Sequence, residues 1–154
     1  IGLTHTCFLD FPDGNLKTGG EPLEKLKGLL EEIKPSTIFL PFLIDYHPDH
    51  QAVFKLTSKA CRQNKINPIC YCYECTIPII HNVIIDITRK ADVKRQAMSC
   101  FQSQLETNNY INTILEGLNR FRSYGLLQGN GYAEAFFKCS ASYLNKIVNN
   151  FSLL

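Results

Sequence analysis

Apolar residues recur along this chain at two spacings, and the switching between them lays out an α/β protein. Leu3 to Leu9 reads as a strand, and Pro12-Asp13-Gly14 as the turn that follows. After Gly19-Gly20, the residues Leu23, Leu26, Leu29, Leu30 and Ile33 fall three and four apart with charges between them, which predicts a helix. Lys34-Pro35 ends it, because the residue before a proline is pushed out of the helical region. Thr37 to Leu43 then reads as a buried strand, apolar on both faces. Strand, helix and buried strand within about forty residues form a βαβ unit with an expected right-handed crossover.

The next helix starts at Pro48, since proline suits the first helical position, and carries the stripe Ala52, Val53, Leu56 and Ala60. Ile69 to Cys75 is the following strand. Asn82 to Ile87 is another, with Val83, Ile85 and Ile87 turned inward. Thr88 caps a helix running to about Gln104 with Val93, Ala97, Cys100 and Phe101 on its inner face. A further helix, Asn109 to Tyr124, carries Ile111, Ile114, Leu115, Leu118 and Phe121 and stops at Gly125. Tyr132 to Phe137 reads as a short strand or an ordered loop, and Ala141 to Phe151 as a closing helix. With no repeat, linker or low-complexity tract, residues 1–154 are expected to form a single domain.

Composition narrows the function classes. A net charge of +2, with basic residues scattered rather than in runs, argues against nucleic acid or an anionic membrane as partner. No apolar stretch approaches the roughly 20 residues needed to cross a bilayer. No leader pattern stands at the start, and a first residue of Ile1 reads as a processed or truncated piece. The seven cysteines form no paired clusters. Cys70, Cys72 and Cys75 sit in a strand whose alternation puts the first two on one face and Cys75 on the other, a poor tetrahedral arrangement. Free thiols in a reducing, cytoplasmic compartment are the expectation.

Asp45, His47, Asp49 and His50 crowd four ionisable side chains into six residues, just after a buried strand and at the first turn of a helix. Ligands of open parallel sheets bind beyond the carboxyl ends of the strands, so position and chemistry agree. A helix N-terminus disfavours imidazolium, which keeps a histidine nitrogen free for a metal. A polar loop with Asp45 or His47 as helix cap is the plain alternative. Two histidines do not complete a zinc site, because catalytic zinc usually takes three protein ligands. His5 and His81 stand alone in the sequence.

The segment Lys34 to Val53, KPSTIFLPFLIDYHPDHQAV, resembles the second conserved block of the PIG-L/LmbE deacetylases, metal-dependent hydrolases of N-acetylglucosaminyl groups. Phe8 to Gly14 is similar to the family's turn after its middle strand, Tyr73-Glu74 to its Tyr-Glu step, and Asp86-Ile87-Thr88 to its strand-to-helix corner. Lys94, Ala97 and Ser103-Gln104 resemble its Lys-Ala-Ser-Gln helix, and Ala133 to Phe136 its closing motif. The His-Pro-Asp-His block is specific; the others are weak singly but fall in the right order.

The resemblance implies an α/β fold, a Rossmann-like three-layer sandwich with a mostly parallel sheet, here the C-terminal two-thirds and truncated at its N-terminus. It makes His50 a metal ligand, for Zn2+ or another divalent ion, and His47 the acid that protonates the leaving amine or steadies the oxyanion. Asp49 becomes the carboxylate that tunes His47, and Asp45 a substrate contact. The family's Ala-His-Pro-Asp-Asp-Glu block, which supplies two more ligands and the aspartate base, has no counterpart in this sequence and is expected before Ile1. A sheet edge bared by such a truncation invites association of copies into a homo-oligomer. The expected substrate is a small-molecule N-acetylglucosaminyl conjugate. Two other readings compete: a noncatalytic sugar-binding or interaction domain of the same fold, and a nucleotide-binding module. The second lacks any Gly-x-Gly-x-x-Gly or phosphate-binding loop.

Overall fold

The structure, a computed structural model, describes residues 2–107 and 109–151. Contacts divide it into two compact units. One is built from the described residues of Ile1–Thr6 and His81–Ala135, the other from those of Cys7–Ile80 and Phe136–Leu154.

The second unit holds α1 (Glu21–Ile33), β1 (Thr37–Pro41), α2 (Pro48–Gln63) and β2 (Ile69–Tyr73), in that order. Helix α1 stops where expected: Lys34 turns left-handed at φ 48° and its N–H bonds the Leu30 carbonyl. β1 and β2 are parallel, with Thr37 opposite Ile69 and Pro41 opposite Tyr73, so α2 is the crossover helix of a βαβ unit. That unit lies two elements later than the sequence pattern proposes. Residues 3–9 form no strand, and Leu3 and Phe8 are 75% and 81% exposed. No ladder partner meets that segment among the described residues, so its apolar run has no pleated surface to join.

β4 (Ala133–Ser140) serves both units. Its residues 136–140 pair antiparallel with β2, Tyr73 opposite Phe136 and Ile69 opposite Ser140, and lead into α7 (Ala141–Phe151). The unit's core lies where α2 packs on α1 and α7 and where the helices meet one face of the strands. Phe54, Ala60, Cys70, Cys72 and Leu144 are wholly buried there. Burying a side chain the size of Phe54 or Leu144 stabilises by about 1.5–3 kcal/mol. The opposite strand face is different. Phe39 is 60% exposed and stacks on Tyr71, with ring centroids 5.1 Å apart. β1 is therefore apolar on both faces, as its sequence shows, but buried on only one.

The first unit departs further from the periodic reading. β3 (Val83–Asp86) leaves Ile85, expected inward, 42% exposed. The single helix expected from Thr88 to Gln104 is a 3₁₀ turn at Thr88–Lys90, then α3 (Ala91–Ser99), then α4 (Gln102–Thr107). Val93, Cys100 and Phe101 are exposed rather than internal. The inner face is shared by the buried Ala91 and two half-buried charged residues: Lys94 Nζ reaches Glu134 Oε1 at 2.5 Å and Asn119 Oδ1 at 2.8 Å, and Arg95 pairs with Glu116. Paired ions can occupy an inner face that an apolar stripe would otherwise claim.

The expected helix Asn109–Tyr124 is a π-helix over Ile111–Asn119, followed by the short helices α5 (Arg120–Arg122) and α6 (Tyr124–Leu127). Its wider turn rotates the apolar stripe. Leu115 and Asn119 are buried, while Phe121 is 69% exposed. Gly131 is required where it stands: a Cβ there would lie 2.7 Å from Leu127 Cδ1 and closer still to Thr88 Oγ1.

Candidate active site

Every residue expected in the site lies in the unit that holds β1, β2 and α2. The chain leaves β1 through the buried residues Phe42 and Leu43, reaches Asp45, and enters α2 at Pro48. His47 is the helix N-cap. Its Nδ1 accepts the Asp49 N–H at 3.2 Å, which satisfies one of the helix's unpaired amides. The neutral ring therefore carries its proton on Nε2, the nitrogen facing outward, 3.8 Å from Asp13 Oδ1.

His50 is held the other way round. Its Nδ1 lies 2.9 Å from Asp45 Oδ1. The Asp45 carboxylate also accepts the His47 N–H at 2.9 Å and the Thr76 N–H at 3.2 Å, while its main-chain carbonyl accepts from Gln51. Burial alone pushes the Asp45 carboxyl up, but the His47 and Thr76 amides and His50 outweigh it, and its pKa sits below the ordinary value. An ionised carboxylate can only accept, so His50 Nδ1 donates and Nε2 is left with its lone pair open. The two rings lie 4.9 Å apart between centroids and tilt by 36°.

Asp45, expected as a substrate contact, is only 3% exposed, and its carboxylate meets His47, Thr76 and His50. Asp49 is likewise committed. Its Oδ2 accepts the Gly14 N–H at 2.7 Å and its Oδ1 the Leu16 N–H at 2.9 Å, fastening the Pro-Asp-Gly turn to the start of α2. The Leu16 amide, ahead of the opposing effect of burial and with help from the Gly14 amide, His47 and Asp13, holds its carboxyl below the usual range. That fastening brings Asp13 to His47: one ligand atom each of Asp13, His47 and Asp49 lie within 4.8 Å of one another. Behind Asp49, an apolar cavity of about 370 Å³ opens between Leu9, Phe11, Leu26, Val53 and Leu56.

A second group of donors was not legible in the pattern: Asp45, His50 and Cys75 also lie within 4.8 Å of one another. Cys75 follows the end of β2 rather than lying in it, so alternation does not govern where it points. Burial, with Asp45 adding to it, pushes its thiol up to about 12. Cys70 and Cys72 are the buried free thiols expected. His81 belongs to the other unit, and its Nδ1 lies 3.2 Å from Arg122 Nη1. No helix among the described residues is long and apolar enough to cross a membrane.

The family described as GlcNAc-PI de-N-acetylase, PIG-L, matches residues 1–61, a stretch that contains both histidines and both aspartates of the site. The conserved protein TT1542 from Thermus thermophilus, known from its crystal structure, is similar over 84% of this chain at a TM-score of 0.67 and 25% identity. The chain spans 63% of that protein's length. The likeness covers stretches beyond residue 61 that the family match does not reach. The α/β fold class read from the sequence is thus the fold of this chain.

Proposed function

We propose that this chain carries part of the active site of a metal-dependent hydrolase that removes the N-acetyl group from an N-acetylglucosaminyl conjugate. One observation supports this above the others: two adjacent imidazoles fixed in opposite tautomers, His50 offering a bare Nε2 and His47 an Nε2–H. A metal needs the first, and a departing amine needs the second. The match of residues 1–61 to a de-N-acetylase family supports the reaction class.

The donor chemistry fits a divalent ion at one position. His50 would hold it through Nε2, with Asp45 behind the ring fixing its orientation and raising its basicity. Zinc bound there would supply Lewis-acid polarisation of the acetyl carbonyl and an acidified water. His47, protonated on both nitrogens for this step, donates its Nε2 proton to the amine nitrogen as the C–N bond breaks and is left neutral, a step typically worth about 10² to 10⁴ in rate. In the resting, neutral ring the Asp49 amide occupies Nδ1 and the one proton sits on Nε2. Asp13 and Asp49 place two carboxylates beside the ring.

Catalytic zinc usually takes three protein ligands, and Asp45 to His50 supplies one oriented nitrogen, so the test belongs on the whole protein. Metal content and release of acetate from N-acetylglucosaminyl conjugates should be compared for wild type, His47→Ala and His50→Ala. The reading expects metal retained and turnover suppressed in the first variant, and metal lost in the second. Equal metal content in both variants contradicts the assignment. Tight conjugate binding with no acetate release, even with metal bound, favours a sugar-binding domain instead.

A further inference from the structure

Cys75 has no part in the hydrolytic reading, yet the fold delivers it to two residues that do. β1 and β2 run parallel with Pro41 opposite Tyr73, so the segments leaving them start from the same end of the sheet. One carries Asp45 and then His50 in the first turn of α2; the other carries Cys75. An oxygen, a nitrogen and a sulfur from these three side chains already lie within 4.8 Å of one another. Around a tetrahedral ion with bonds of about 2.0 to 2.3 Å, such donors stand roughly 3.3 to 3.8 Å apart, so the wider separations close by at most about 1.5 Å while the 2.9 Å Asp45–His50 contact opens slightly.

The neighbourhood favours an ion. Thr76 gives its N–H to Asp45, and its Oγ1 is buried with no hydrogen-bond partner. An orphaned buried hydroxyl is costly, and a water carried by an ion beside Asp45 would relieve it. Cys75 and His50 are both partly open to solvent, which leaves an entry path.

We propose that Asp45, His50 and Cys75 form a binding site for a soft divalent cation, zinc or cadmium, in which the Cys75 sulfur is a ligand. A mixed oxygen, nitrogen and sulfur set selects such ions over magnesium, calcium or manganese. The proton balance is defined. The Cys75 S–H proton leaves to solvent as the sulfur–metal bond forms. The ion takes the place of the His50 Nδ1 proton facing Asp45, and the ring stays neutral by carrying its proton on Nε2 instead. One proton is released per ion. With Nε2 protonated, His50 cannot at the same time serve a metal through that atom, so the two uses of the ring exclude each other. The binding site itself does not depend on the hydrolytic reading.

The test titrates the protein with cadmium alone and follows the ultraviolet sulfur-to-cadmium charge-transfer band, with zinc as competitor. Cys75→Ser should lower the band by one thiolate equivalent, and Asp45→Asn should weaken the affinity by at least about tenfold. A variant-free arm guards against misfolding: cadmium should shield Cys75 from alkylation by iodoacetamide, read on its peptide by mass spectrometry, while the exposed Cys7 and Cys100 report non-specific binding. An unchanged band in Cys75→Ser, or Cys75 alkylated as fast with cadmium as without, overturns the proposal. A cadmium–thiolate band that survives while acetate release is never seen overturns only the hydrolytic reading.

Discussion

His50 and His47 stand three residues apart with their rings nearly in contact, and the two sides of the site hold them by different means. On the His50 side, a carboxylate 3% exposed is tied to two backbone amides before it reaches the ring. On the His47 side, one backbone amide caps the ring, and the nearest carboxylate, Asp13, has a side chain 95% exposed on a turn fastened by Asp49. A buried ionised acceptor dictates a tautomer because nothing else can satisfy it. An exposed carboxylate competes with water and biases a ring without fixing it. The His50 side is therefore built for coordination and the His47 side for proton transfer.

Four substitutions probe that contrast. His50→Ala should be the most damaging: the whole protein loses its metal, and acetate release falls to background in a metal analysis paired with an activity assay. His47→Ala should lower kcat by about 10² to 10⁴ while leaving metal content near wild type. If it strips the metal as well, the division between the two sides collapses. Asp45→Asn should weaken metal affinity by about 10 to 100-fold, because an amide no longer forces the Nδ1–H tautomer. Asp49→Ala should cost least, about 1 kcal/mol of stability by denaturant unfolding, with faster amide exchange at Gly14 and Leu16. A large loss of metal in Asp49→Ala would show that the two sides are not separable.

Acid sharpens the same comparison. Asp45 has a folded pKa depressed below its unfolded value, so the stability it contributes is fully present above about pH 4 and is lost as pH falls through the lower folded value. Thermal melting from neutral pH downward should show an acid limb that is shallower in Asp45→Asn than in wild type. Identical limbs would mean the carboxylate is not held as the geometry describes.

Legibility in the sequence varied by region. Helix α2 was readable to its first residue, because Pro48 can only begin a helix and Ala52, Leu56 and Ala60 repeat along one face that is in fact buried. The pattern from Thr88 to Gln104 and from Asn109 to Tyr124 predicts two amphipathic helices, and the structure breaks both. There Ala91 shares the inner face with Lys94 and Arg95, whose partners Glu134, Asn119 and Glu116 lie far off in sequence, and a π-helix shifts the register of Ile111 to Asn119. Local periodicity cannot report an ion pair whose other half lies 21 or 40 residues away.

The candidate site divides in the same manner. Asp45, His47, Asp49 and His50 were visible in the sequence because they crowd one strand-to-helix corner, and Pro48 left little choice about how that corner turns. What each of them does was decided in three dimensions. Asp45 binds His50 because β1 delivers it to a buried position where an imidazole N–H and two amides converge. Asp49 clamps a turn that approaches from 33 and 35 residues away. Cys75 joins the group because β2 lies parallel to β1. Residue types and short spacings follow from the chain alone. Tautomers, clamps and converging donors depend on contacts between distant segments, which exist only once the strands have paired and the helices have packed.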